Sequence, residues 1–429
     1  MPTHDQTRPT DAATTDTPAA ASHAAEPRAT EGGGAATVAA TPAARPRRPL
    51  PTIASARAYA SRVLPQEVEL LKTLARIPSP SGHEEARARF VIEWLLAAGA
   101  SRVKVDDAKN AICLVGDPDA PRLVAFSAHT DIVAPDLSRL PMHEDKNRLF
   151  APGVGDDTAN LVGLLMATRF LLANQELLPT GTAVLVVANS CEEGLGNLRG
   201  TSALYEEYGE RICEHHSFDL YLPQVITHAV GSHRYRITCT TQGGHSLRDF
   251  GRTNAIEVLC QVVEGLYALE PPEGVTYNVG TIKGGSTVNS IAANATMTVE
   301  YRAQSQTSLL RLHDRLMHIV HEAERPDARI DVELIGDRPC DSGVDQEKLA
   351  VIESEAAEVV EAVTGEKPDL TPASTDANIP LSLKVPAVNV GAVRGGLLHT
   401  RDEWVSEASL VDGLTVILGI MLKALARYR

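Results

Sequence analysis

The chain has 429 residues, 43% hydrophobic and 22% charged, with 40 basic against 55 acidic side chains and a net charge of −15. That length accommodates two domains and that composition is ordinary for a globular protein. The acidic balance argues against nucleic acid or an anionic membrane as partner, and no apolar run is read as reaching the roughly 18 residues of a membrane span. Six cysteines, at 113, 191, 213, 239, 260 and 340, include no CxxC pair. Their apolar surroundings predict reduced, mostly buried thiols and a reducing, cytoplasmic compartment.

Residues 1–55 are rich in Ala, Thr, Pro and Gly, and the first 50 hold no aromatic side chain. Such a segment buries too little apolar surface to offset its ordering entropy and is expected to be a disordered tail. It has neither the apolar core of a secretory signal nor the acid-poor composition of a transit peptide. Residues 66–77 place Val68, Leu70, Leu71, Leu74 and Ile77 at helical spacing before Pro78-Ser79-Pro80. A second helix is predicted over 84–98, with Gly99 as its C-cap. Strands follow at 102–105, 111–115 and 123–126, then a long helix at 157–173 and a buried strand at 182–189. This alternation predicts an α/β sheet with helices on both faces.

From Gly231 the order becomes strand 234–241, helix 254–269, strand 291–301, helix 308–323 and strand 330–334. With one further strand before Ile291, that is the β-α-β-β-α-β order of a ferredoxin-like unit. The expected organisation is a mixed-sheet α/β domain in two parts, 56–230 and 339–429, carrying an inserted α+β domain at 231–338. The second part holds a helix at 348–363, a strand at 387–390 and a closing helix from Ala408.

Five acidic and histidine segments then stand out, in this order: Ser127-Ala128-His129-Thr130-Asp131, Gly153-Val154-Gly155-Asp156-Asp157, Glu192-Glu193-Gly194, Asp219, and Leu398-His399-Thr400. Imidazole and carboxylate oxygen are the donors of a hydrolytic zinc pair. Two of the segments follow predicted strands, and strand C-termini border the ligand crevices of open α/β sheets. Each segment also has an ordinary reading. His129 and Asp131, on one face of an extended segment, are a zinc ligand with its orienting carboxylate or a capped strand-end histidine. Asp156-Asp157 caps a helix, or Asp156 bridges two metals. Glu192-Glu193 is an exposed charge pair, or a general base beside a ligand. His399 is a surface residue or the second imidazole.

In the insert, His245 of Gly243-Gly244-His245-Ser246 is a strand-end residue or a group that stabilises an oxyanion. Arg302 suits a substrate carboxylate or a surface salt bridge, and Asn289 lies near it in sequence.

Taken together, these segments resemble the zinc metallopeptidase family that includes peptidase T, the glutamate-releasing carboxypeptidases, aminoacylases and succinyl-diaminopimelate desuccinylase. The resemblance runs from about Leu64 to the C-terminus. It is nearest the peptidase T-like branch through Gly231-Ser232-His233-Arg234-Tyr235-Arg236, Gly243-Gly244-His245-Ser246 and Ser374-Thr375-Asp376-Ala377-Asn378. It implies two zinc ions, with cobalt or manganese as substitutes. His129 and Asp219 would hold one, Glu193 and His399 the other, and Asp156 both, with a cis Asp156-Asp157 peptide. It further implies that Asp131 orients His129 and that Glu192 is the general base, deprotonating a water that bridges the metals. His245 would act in a partner subunit, while Asn289 and Arg302 would hold a substrate carboxylate. The implied activity is an amidohydrolase or exopeptidase acting on di- or tripeptides, or alternatively an N-acyl amino acid amidohydrolase or a specialised biosynthetic amidohydrolase of the same fold. The implied assembly is a homodimer through the insert. A non-hydrolytic binding protein that keeps the fold is the remaining alternative. The chain departs from the family after Asp219, where Leu220-Tyr221-Leu222-Pro223 replaces the usual glycines.

Overall fold

The structure, a computed structural model, describes residues 49–429. The tail expected over 1–55 therefore lies largely outside the described residues, but positions 49–55 are described and the last three of them are helical. The first helix spans Ile53–Leu74, thirteen residues earlier than the apolar spacing predicts, and Pro65 sits inside it. Thr52 starts the helix by accepting the Ser55 N–H through its hydroxyl. Pro65 is tolerated because it and Ser61, whose carbonyl loses its partner, are both exposed to water. The second helix spans Glu85–Ala97, and Gly99 adopts the left-handed φ of a C-terminal cap.

Eight strands form one mixed sheet. Their spatial order is Val103–Val105, Ala111–Val115, Thr182–Asn189, Arg122–His129, Ile212–Phe218, Ala387–Val390, Gln224–Ala229 and Asp369–Ala373. The four middle strands run parallel, so all their C-terminal ends open on one edge. They are buried on both faces, which is why Thr182–Asn189 reads as an unbroken apolar run. A separate antiparallel sheet holds Val275–Gly284, Asn294–Ala303, Gly231–Thr241 and Ala328–Arg338 in that order. Helices Ala255–Tyr267 and Gln306–Ala323 pack on it around a core of its own. The strand missing from the sequence reading is Val275–Gly284, an edge strand whose side chains are mostly exposed.

The closing helix corrects one expectation. Ser409–Arg427 is long and apolar enough to cross a membrane. Most of it is buried instead, packed against Ile53–Leu74, Asn160–Leu172 and Gln346–Thr364. It is the central helix of the larger core.

That core also hides Glu67, 1% exposed on the first helix, and burial pushes its carboxyl up to about 8. The folded chain thus keeps a proton that the unfolded chain releases above pH 4.5. The stabilisation is complete below that pH and is lost as pH rises through about 8. Glu67→Gln should therefore melt close to wild type near pH 4.5. At pH 9 it should be more stable, by on the order of 1–3 kcal/mol. A thermal-melt difference independent of pH would contradict this.

Candidate active site

The donors gather at the C-terminal edge of the parallel strands. Ser127 is opposite Ser217 and His129 opposite Asn189 in the ladder. The register therefore sets His129 beside Asp219 and a few residues from Glu192 and Glu193. His129 Nε2 is 2.9 Å from Asp156 Oδ1 and 3.9 Å from Asp219 Oδ1. On the other side, His399 Nε2 is 3.0 Å from Asp156 Oδ2 and 3.2 Å from Glu193 Oε1. Asp156 thus turns one oxygen to each imidazole.

Three donor sets converge, each within 4.8 Å: His129–Asp156–Asp219, Asp156–Glu193–His399 and His129–Glu192–Glu193. The first two share only Asp156. The Asp156-Asp157 peptide is cis. Asp156 and Asp157 depart from helical geometry in an irregular turn over Val154–Ala159, and the regular helix begins at Asn160. Neither aspartate caps that helix. Asp157 instead accepts the His129 N–H at 2.8 Å and the Asn160 side-chain amide at 2.7 Å.

Asp131 is fully buried, and its carboxylate does more than face His129. The His129 Nδ1 lies 3.0 Å from the Asp131 main-chain oxygen and 3.4 Å from Oδ1. The two carboxylate oxygens accept the Glu192 N–H at 3.0 Å and the Glu193 N–H at 2.9 Å, with the Ser81 hydroxyl at 2.6 Å. One aspartate therefore locks the strand end that carries His129 to the loop that carries both glutamates.

The electrostatics are those of crowded, buried carboxylates. Burial drives Asp219 well above the ordinary carboxylate range, with the charges of Asp156 and Asp157 adding. Burial likewise pushes Glu193 up to about 7, and Asp156 and Glu192 add to it. For Asp156, burial is outweighed by hydrogen bonds from His129 and His399, which hold it far below its usual value. Hydrogen bonds to Asp156 and Glu193 raise His399 to about 10. Burial would depress His129, but Asp157, Asp131 and Asp156 lift it well above the usual histidine value. Such a cluster favours positive charge at its centre. Carboxylate and imidazole donors in two triads joined by one aspartate fit two divalent cations.

Four supporting residues carry no sequence motif. Glu403, 1% exposed, accepts the N–H groups of Gly153 at 3.1 Å, Gly155 at 2.8 Å and Asp156 at 2.7 Å, which fixes the turn that aims Asp156. Burial raises its carboxyl to about 7. Tyr221 donates its hydroxyl to Glu403 at 3.2 Å. A Cβ on Gly155 would meet the Tyr221 ring at 2.6 Å, so glycine is required there. The segment Leu220-Tyr221-Leu222-Pro223 thus places a tyrosine against the aspartate turn. Arg87, fully buried, donates to the carbonyls of Ile77 and Thr130 and to the Thr158 hydroxyl. Arg338 donates to Glu192 Oε1 at 3.0 Å and to the Glu192 main-chain oxygen.

Beside Asp156 and His399 opens a cavity of about 210 Å³, lined also by Val133, Ala134, Pro135, Thr400 and Arg401. His399 has a left-handed φ of 61°, a conformation non-glycine residues hold only where their surroundings enforce it.

The insert residues stand apart. His245 is exposed on a two-residue strand against Ser290-Ile291, and Asn289 is next to it through the Ser246 N–H to Asn289 carbonyl bond. Arg302 pairs with Glu300 at 2.6 Å. None of the three bonds to the donor cluster in this single chain.

The family model for Peptidase family M20/M25/M40 matches residues 125–423. The chain belongs to that family. Members of the M20 family are metal-dependent hydrolases, and so is this chain. Among curated relatives, it is similar to the succinyl-diaminopimelate desuccinylase of Corynebacterium glutamicum. That match is 23% identical over 369 residues, 83% of this chain and 96% of the relative. Among solved structures, it is similar to aminopeptidase PepT from Bacillus cereus, with a TM-score of 0.67 and 17% identity, over 85% of this chain and 99% of that one. A dinuclear metal-binding M20 peptidase of Bacillus subtilis superposes with a TM-score of 0.59 and 15% identity, over 86% and 99%. Both superpositions agree with the mixed-sheet M20 fold.

Proposed function

We propose that this M20 protein is a di-zinc exopeptidase of the peptidase T type that cleaves the amide bond of a di- or tripeptide. The observation that carries the reading is the pair of donor triads meeting at Asp156 with Glu192 beside them. In this reading His129 and Asp219 hold one cation, Glu193 and His399 the second, and Asp156 both. Two divalent cations at these donors would polarise the scissile carbonyl and acidify a water between them. Glu192 takes the proton of the attacking water and passes it to the leaving amine. Asp131 keeps the two glutamates and His129 in mutual register while this happens.

The insert supplies the remaining parts. His245 stands near three large exposed apolar side chains, Leu247, Phe250 and Val288. That supports a homodimer through the insert in which His245 of one copy donates to the oxyanion in the other. Asn289 and Arg302 would then hold the substrate carboxylate, Arg302 after exchanging its bond to Glu300. Sedimentation of a strict monomer would leave His245 without this role. Six free cysteines, four of them buried, fit a reducing cytoplasm.

A second reading, an amidohydrolase of N-acyl amino acids or of a biosynthetic acyl intermediate, is favoured by the similarity to a desuccinylase. A panel of dipeptides, tripeptides and N-acyl amino acids, assayed with added zinc, cobalt or manganese, separates the two. Peptide turnover exceeding acyl-amino-acid turnover supports the exopeptidase, the reverse order supports the acylase, and hydrolysis of neither rejects both.

A further inference from the structure

We propose that Arg338 is a positioning residue for Glu192, through which the sheet of residues 231–338 sets the aim of the proposed base. The proposal rests on the reading of Glu192 given above. Arg338 ends the strand Ala328–Arg338, opposite Ser232 at the start of Gly231–Thr241, and is 4% exposed. Its guanidinium grips Glu192 twice, through the side-chain Oε1 at 3.0 Å and through the main-chain oxygen. A fork of donors fixes a carboxylate relative to its own backbone, which a single ammonium cannot do. The same nitrogen that reaches Oε1 lies 3.3 Å from the Ser374 hydroxyl, so Arg338 also touches the second part of the larger domain. No described residue bonds Glu192 Oε2, so the grip leaves that oxygen for a proton.

Two neighbours strengthen the connection. Arg234, held by Glu300 at 2.6 Å, donates to the Gly194 carbonyl, and the Asn197 amide donates to the Ile335 carbonyl at 3.0 Å. The loop from Glu192 to Asn197 is therefore held on opposite sides. Asp131 holds its N–H groups from the larger domain, while Arg338, Arg234 and the Ile335 carbonyl hold it from the other sheet. A displacement of that sheet therefore pulls on the Glu192 carboxylate and on the loop that carries it.

The test uses the full chain with Arg338→Gln and Arg338→Lys, each also combined with Glu192→Gln. Arg338→Gln should lower kcat about 10- to 100-fold, as expected for a lost charge-assisted hydrogen bond. KM should stay within about threefold and bound cations should be unchanged, since Arg338 bonds to none of the proposed ligands. Arg338→Lys should recover part of the loss. In the Glu192→Gln background, Arg338→Gln should reduce the residual rate no further. Hydrogen exchange of the amides at 192–197 should accelerate in Arg338→Gln, a readout that needs no turnover. A lower melting temperature with unchanged kcat and unchanged exchange would overturn the proposal, as would fully additive losses in the double variant. If wild type hydrolyses nothing in the panel, the proposed reaction fails, and loop exchange still decides whether Arg338 positions Glu192.

Discussion

Glu192→Gln is expected to bind the same number of divalent cations as wild type while losing about 10²- to 10⁴-fold in kcat, the range of a general base. The substitution keeps the shape of the side chain and an oxygen for the Arg338 guanidinium. The loop keeps its anchors too, because Asp131 holds it through the main-chain N–H groups of Glu192 and Glu193. The variant loses the capacity to accept a proton, together with the negative charge that pairs with Arg338. Initial rates measured beside elemental analysis of the same sample check the prediction. More than a tenth of the wild-type rate with full cation content would remove Glu192 from the mechanism.

Asp156→Ala should produce the other large effect, and it should differ in kind. Asp156 is the one donor common to the two triads around His129 and His399. Its removal should weaken both cations together by at least about 100-fold and leave fewer than one bound per chain, with turnover lost. Asp219→Asn and His399→Gln each touch a single triad and should retain about one cation, so the contrast reads the topology of the site. Titration of bound zinc across the three variants checks it. An Asp156→Ala protein that still binds two cations would refute the shared role.

Much of the fold was readable because its middle strands are uniformly apolar. Ala111–Val115, Thr182–Asn189 and Ala387–Val390 have the bounds their buried runs suggest. Ile212–Phe218, with Glu214, His215 and His216 in its centre, does not look like a core strand, yet all three are buried. His215 bonds Ser127, 88 positions away, and Tyr205, while Glu214 pairs with Arg427, 213 positions away. Asp369–Ala373 contains Pro372 and is an edge strand, where the missing N–H costs no ladder bond. The first helix begins thirteen residues before the apolar spacing at 66–77 predicts, because its first turns carry Ala, Ser and Arg rather than a run of large apolar residues.

The donors were legible for a different reason. They sit on short motifs beside strand ends, and the resemblance names their order. Their supports were not. Glu403 lies 247 positions from Asp156, whose N–H it accepts, and Arg338 lies 146 positions from Glu192. Each is a single charged residue in an unremarkable segment, and only long-range folding gives it a partner. Arg87 is a lone charge on the helix face that carries Phe90, Val91 and Trp94, and its burial is matched by the carbonyls of Ile77 and Thr130, which need a donor.

Anomalous diffraction at the zinc edge, from crystals grown with excess zinc, tests the central assignment most directly. Two peaks should flank the Asp156 carboxylate, one beside His129 and Asp219 and the other beside Glu193 and His399. Zinc located elsewhere, or absent from both sides of Asp156, would contradict it.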